Sequence, residues 1–286
     1  MSERTYFGGK GGDGVFQTII NQIPPHEAFV SGFLGRCAIM RNKKPAAVNI
    51  GVEIDPNVIN MWSDSEIWPR IDDRQRFDIV QGDFLKIDLS KFLEEIQPKK
   101  TFVYLDPPYP LETRKSRKRY RYEMDDADHH ELVTSVSSTE YMMAISSYPN
   151  DLYDEILGEN GWRWIDFTAQ TRSGKPAAER LYMNYPEPER LHDTRYLGSN
   201  YREREKYKLR AATIVRKLER LSILEREAVL QAIRRRFMKQ EFELPTINEV
   251  LEEALDRYQE DGDYKERVNS YVSGAEQIIN IVKKQL

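Results

Sequence analysis

Cysteine is nearly missing from this chain. A single residue, Cys37, stands among 286, which leaves no partner for an intramolecular disulfide and no thiolate set for a zinc cluster. Long apolar runs are missing too. None approaches the roughly 18 residues that mark a membrane-spanning helix, and no secretory leader is legible. The expectation is a soluble, cytoplasmic protein. No complete Gly-x-Gly-x-x-Gly follows the first apolar strand, which argues against a dinucleotide-dependent oxidoreductase. No internal repeat is visible. A strong net charge is also lacking: −4 overall, with a pI of about 5.8, advertises no polyanionic partner.

What charge there is, however, is segregated. Residues 201–240 hold thirteen Lys/Arg against five Asp/Glu, whereas residues 241–263 hold nine acids against one Arg. A local basic face on an acidic protein follows from that asymmetry. The length suits one large domain, or one domain with an appendage. Strand-like and helical patterns alternate as far as Tyr185, and only helical patterns follow Pro186. The division expected is therefore 1–186 and 187–286, with capping boxes at Ser222 and Glu225 and at Thr246 and Glu249 opening two of the later helices.

The stretch Thr101-Phe102-Val103-Tyr104-Leu105 reads as a buried strand, and Asp106-Pro107-Pro108-Tyr109 ends it. The two prolines stop the strand and stiffen the loop. By residue type this is either a strand-to-turn junction with a capping acid or a binding loop. As a binding loop, Asp106 and the Pro107 carbonyl offer only acceptors, suited to the two N–H bonds of an exocyclic amine, and Tyr109 offers a face for a planar base. Open α/β sheets place ligands at such strand ends.

Upstream, Tyr6-Phe7-Gly8-Gly9-Lys10-Gly11-Gly12 combines backbone freedom with one fixed cation. A helix is expected over residues 15–23, closed by Pro24-Pro25. The run Phe29-Val30-Ser31-Gly32-Phe33-Leu34-Gly35 is a strand entering a glycine turn. Val48 to Glu53 is a second strand, with Asp55-Pro56 beyond it as a helix cap. Phe77 to Gln81 is a third, followed by Gly82-Asp83-Phe84, which reads equally as a turn with a core Phe.

Asp-Pro-Pro-Tyr after an apolar strand, with these upstream stretches in this order, resembles the D12 class of N6-adenine DNA methyltransferases over roughly residues 5 to 185. The resemblance implies a Rossmann-like, mostly parallel sheet with an antiparallel last strand and a C-terminal helical appendage. It implies S-adenosylmethionine as cofactor and double-stranded DNA as partner, with a nucleoid-associated location. Asp106, Pro107, Pro108 and Tyr109 would be catalytic. Phe7 and Lys10 would meet the cofactor, Lys10 at its carboxylate. Phe33 and Gly35 would form the glycine turn against it, Glu53 with Asp55 behind it would meet its ribose, and Asp83 and Phe84 would flank its adenine. The chain departs from the family in the glycine turn, where Ser31, Gly32, Arg36 and Cys37 replace the usual residues and a larger side chain blocks close backbone approach.

Six cations follow the proposed catalytic loop: Arg114, Lys115, Arg117, Lys118, Arg119 and Arg121, interleaved with Tyr120 and Tyr122. Cations beside rings suit a phosphate backbone and unstacked bases, and equally a solvated loop. Residues 162–170 and 180–185 read as a strand pair, with Arg172 and Lys175 at its tip as further DNA contacts. Only about twenty residues separate Asp83 from Asp106, too few for the recognition insert of many relatives. C5-cytosine methylation is disfavoured, since the one thiol follows Arg36 in the glycine turn. N4-cytosine methylation, RNA-adenine methylation and an inactive DNA-binding relative remain as alternatives. The helical appendage is expected either to contact DNA or to dimerise.

Overall fold

The computed structural model describes residues 10–11, 14–62, 75–93, 96–113, 121–170 and 176–237. The chain divides into two compact units, Met1–Ala211 and Ala212–Leu286. In the first, helices and strands alternate as α1 (Val15–Ile20), β1 (Ala28–Ser31), α2 (Ala38–Asn42), β2 (Val48–Glu53), α3 (Pro56–Trp62), β3 (Arg76–Gln81), α4 (Ser90–Leu93), β4 (Thr101–Leu105), α5 (Asp126–Val136), β5 (Met142–Ser147), α6 (Asp151–Glu159), β6 (Arg163–Gln170) and β7 (Pro176–Met183).

Seven strands form one sheet in the order β3-β2-β1-β4-β5-β7-β6. The first five pair in parallel, and β7 runs antiparallel between β5 and β6. This is the α/β sheet with an antiparallel last strand that the sequence led us to expect. Parallel strands covered on both faces must be apolar on both, which explains runs such as Phe102-Val103-Tyr104-Leu105. Phe29, Phe102 and Tyr104 pack on one face with Ile19, Ile39 and Trp62 from α1, α2 and α3. Val30, Val103 and Leu105 pack on the other with Leu132, Val133 and Leu157 from α5 and α6.

Two element ends differ from the sequence reading. α1 stops at Ile20, and the expected last turn is tightened: Gln22 N donates to Ile19 O and Ile23 N to Ile20 O. β7 begins at Pro176 instead of Arg180, because β6 pairs with it all the way from Arg163↔Met183 to Gln170↔Pro176. The charged pair Glu179-Arg180 thus lies inside a strand. α5 opens with a reciprocal capping box between Asp125 and Asp128, and buried His129 packs against Tyr153 with its Nδ1 2.9 Å from the hydroxyl.

Residues after β7 stay with the first unit. His192 N donates to Ile23 O, Asn21 Nδ2 to Tyr196 O, and Tyr196 lies edge-on to Phe16. Then come α7 (Tyr201–Glu219), which runs across the division between the units, and α8 (Ile223–Phe237), opened by the expected Ser222 and Glu225 box. Neither helix buries a residue. The expected cap at Thr246 and Glu249 lies outside the described residues. Among those residues no helix is long and apolar enough to cross a membrane.

Candidate active site

The strand order reverses between β1 and β4: β1 continues to β2 on one side, while β4 continues to β5 on the other. At such a switch point the connections diverge and leave a crevice beyond the carboxyl ends of the strands. Asp106 follows the last residue of β4 and sits at that end, beside the Ser31-Gly32 turn that leaves β1. Gly32 N donates to Tyr104 O at 3.0 Å. A Cβ at position 32 would collide with the Leu105 side chain and come within 2.7 Å of the Phe84 ring, so any larger residue there would force both side chains to move.

Asp106 does not stand alone. Lys10 Nζ lies 3.2 Å from Asp106 Oδ1 and 2.8 Å from Glu179 Oε2. The Tyr109 hydroxyl donates to the same Glu179 oxygen at 3.0 Å. The Lys10 ammonium also sits 4.4 Å from the centre of the Tyr109 ring, and Tyr148 packs edge-on against that ring at 4.5 Å. Lys10, Tyr109 and Glu179 are each at most 8% exposed. Burial works against the Lys10 charge, but Asp106 and Glu179 outweigh it, so the ammonium holds its proton more firmly than usual. Burial lifts the Asp106 carboxyl to about 6, against the pull of Lys10 and with the added push of the Glu179 charge. Beneath, the Tyr104 hydroxyl is 2.8 Å from Ser146 Oγ.

One strand further along, Glu53 ends β2. Its Oε2 accepts from Gly35 N and its Oε1 from Asp55 N, each at 2.8 Å. The glycine turn and the acid are therefore tied together, with Gly35 at φ 43°. Burial raises the Glu53 carboxyl, and these backbone donors hold it back. Asp55 accepts from Asn57 N at 2.9 Å and so caps α3, as expected of Asp55-Pro56; Arg121 also reaches it at 3.5 Å. Asp83 accepts from Leu85 N and pairs with Lys86, while Phe84 is 8% exposed against Phe33, with ring centres 5.8 Å apart. Phe33 and Phe84 thus meet each other.

Cys37, in the glycine turn, is buried. Its Sγ accepts from Met40 N at 3.3 Å and caps α2. Of the residues expected to contact DNA, Arg121 is described; Arg114, Lys115, Arg117, Lys118, Arg119, Arg172 and Lys175 lie outside the described residues, as does Phe7.

The structure adds Glu179 to the group. Its position follows from β7 running antiparallel to β5, with Ser147 opposite Arg180, which brings the start of β7 to the carboxyl end of the parallel strands. Alternation along β7 then puts Glu179 toward Lys10. Arg180, on the opposite side, grips Asp154 at 2.7 Å and Asp166 at 2.6 Å. No local signal marks Glu179, which lies 70 residues beyond Tyr109.

No curated protein sequence matches the chain. Several solved structures are similar to it. Magnesium protoporphyrin IX methyltransferase from Synechocystis PCC 6803, solved with bound SAM, shares 12% identity over 60% of this chain and 76% of that one, at a TM-score of 0.37. The N-methyltransferase NodS from Bradyrhizobium japonicum WM9 shares 8% over 62% and 94%, at 0.37. A SAM-dependent methyltransferase from Methanosarcina mazei shares 7% over 58% and 95%, at 0.39. Over residues 72–170, the stretch that contains Asp106-Pro107-Pro108-Tyr109, the chain matches the family model of the D12 class N6 adenine-specific DNA methyltransferases, and it carries that tetrapeptide at the switch point of its seven-stranded sheet.

Proposed function

We propose that this protein is an S-adenosylmethionine-dependent methyltransferase acting on the N6 amine of adenine in double-stranded DNA. The observation that carries the reading is the largely covered Asp106 carboxylate and the buried Tyr109 ring, both in contact with Lys10 beyond the carboxyl end of β4, within the stretch that matches the family model.

The residues present fit the cofactor. Glu53 retains lone pairs beyond its two backbone bonds and is suited to ribose hydroxyls next to the Gly35 turn. Phe33 and Phe84 supply apolar surface, and Asp83 an acceptor. Cys37 presents its thiol to α2, which takes its bulk out of the crevice despite the departure from the family pattern. S-adenosylmethionine, when bound, supplies an electrophilic methyl carbon on a sulfonium.

The target base is stacked inside the duplex and must be everted, at a cost of a few kcal/mol. Tyr109 stacks on it, worth about 1–3 kcal/mol. Asp106 Oδ and the Pro107 carbonyl accept the two N–H bonds, so the nitrogen lone pair leaves the ring system and is aimed. With the cofactor bound, the N–C bond would form as the sulfonium S–CH3 bond breaks and leaves a neutral thioether; the nitrogen would gain positive charge, and Asp106 would accept the proton it then loses. Orientation and electrostatics supply the catalysis. Arg121 and the cations before it are the DNA contacts of this reading, with Arg172 and Lys175.

The test is incubation with methyl-labelled S-adenosylmethionine and duplex DNA, followed by digestion to nucleosides. Label in N6-methyladenine, lost in Asp106→Ala while the protein stays folded, is the expected result. Label in N4-methylcytosine, label transferred only to RNA, or turnover retained by Asp106→Ala would overturn it.

A further inference from the structure

We propose that Glu179 is a positioning residue for this reaction: from β7 it holds the Lys10 ammonium and the Tyr109 hydroxyl, so that Lys10 can yield Asp106 to the incoming amine. The inference rests on the reading of Asp106 as the amine acceptor.

An ammonium that donates to Asp106 and lies over the Tyr109 ring occupies the place the substrate amine needs. The two compete for one acceptor and one aromatic face. Lys10 is 8% exposed, so breaking its contact to Asp106 with no other partner would leave a buried charge uncompensated. Glu179 removes that obstacle. Its contact is the shorter one, 2.8 Å against 3.2 Å. The same carboxylate oxygen accepts the Tyr109 hydroxyl, which sets the ring while Tyr148 supports it edge-on. The carboxylate is carried by a strand, and the next residue along, Arg180, is clamped to Asp154 and Asp166. A group on a braced strand holds its geometry better than one on a loop.

Charge gives a second reason. Asp106, Glu179 and Lys10 together sum to one negative charge. The amine nitrogen becomes positive during transfer, and a net negative pocket is complementary to that charge. With Glu179 neutral the three groups sum to zero, and that complementarity is gone. Asp106 is also faced by Cys37 and Tyr104, both of which hold their protons in the neutral range because burial raises them. Glu179 and Lys10 are therefore the groups whose charge tunes it.

The experiment compares wild type, Asp106→Ala and Glu179→Gln for methyl transfer to adenine-containing duplex DNA between pH 5 and 9, with thermal melting of each. Wild-type turnover lost in Asp106→Ala upholds the reading beneath the proposal; its failure sinks both. Given that, Glu179→Gln is expected to lower kcat by roughly tenfold to a hundredfold. Its acid limb should also move to lower pH, because removing a neighbouring negative charge makes Asp106 easier to ionise. A Glu179→Gln enzyme with unchanged kcat and an unmoved acid limb would refute the proposal. Should that variant fail to fold, Glu179→Asp decides, since it keeps the charge but shortens the reach to Lys10 and Tyr109: its kcat is expected to fall while its acid limb stays near that of wild type. A folded Glu179→Asp enzyme with wild-type kcat would equally refute it.

Discussion

Asp106 shows how a single side chain takes its properties from burial and two neighbours. Its carboxyl titrates near 6 because it is buried, with Lys10 holding the value down and Glu179 raising it. As an acceptor it must be ionised, so methyl transfer should rise with pH through about 6 and level off above. The check is kcat/KM against pH, which reports the free enzyme; a flat profile from pH 7 to 5 would contradict the role. Tyr109 divides its work between ring and hydroxyl. Tyr109→Phe should keep the stacking face and lose only the bond to Glu179, about 1 kcal/mol in denaturant unfolding. Tyr109→Ala should in addition weaken productive DNA binding by roughly 1–3 kcal/mol, read as KM for DNA. The acid and the ring were legible in the tetrapeptide itself. The partner of both was not, since Glu179 sits in a charged run that gives no sign of facing inward.

At the scale of elements, β7 decides the site. Strands β1 to β5 need only apolar runs to find their places, and their sequence pattern showed them well. β7 enters antiparallel, and its first residues arrive at the reactive end of the sheet. Arg180 anchors that arrival through Asp154 and Asp166, with Tyr182 also bonded to Asp154 at 2.6 Å. Asp166 is 53% exposed, so solvent screens part of this network. Arg180→Met should destabilise by roughly 2 kcal/mol in urea unfolding. It should also lower methyl transfer, because the strand that carries Glu179 loses its brace. The turn after β1 makes a sharper demand. Gly32→Ala should lose about 1–3 kcal/mol, measurable as a lowered Tm, since its Cβ meets Leu105 and Phe84.

At the scale of the molecule, the segment after β7 is pinned to the opposite end of the sheet from the site by a basic cluster. His26 and His192 stack at 3.8 Å, Lys43 Nζ lies 3.1 Å from His26 Nε2, and Asp193 accepts from Lys44 N and Arg195. Burial lowers all three basic groups: Lys43 to about 7, His192 to about 4, and His26 well below its usual range, with the Lys43 charge adding to the effect on both histidines. Between about pH 4 and 6.5 the unfolded chain binds protons at the histidines that the folded chain refuses, so stability rises with pH there. From about 7 to 10.5 Lys43 acts in the same direction. The histidines' contribution to Tm should therefore fall as pH drops from 7 to 5, against an opposite contribution from the raised Asp106 carboxyl, and His192→Phe should shift the balance toward the latter. The sequence division at Pro186 reflected a change from alternating to helical pattern. The compact units divide after Ala211, and the contacts of His192, Asp193 and Tyr196 with the first unit depend on side chains that no helical period records.

What the amino-acid sequence determined by itself was local: apolar strands, capping boxes, the stiff Asp-Pro-Pro-Tyr turn and the order in which they come, because each depends on residues a few positions apart. What only the tertiary structure decided was which charges share the pocket. Lys10, Asp106 and Glu179 meet because strand order and the reversed entry of β7 bring distant stretches to one crevice, where burial makes their charges interact strongly. Neither spacing nor composition encodes that meeting.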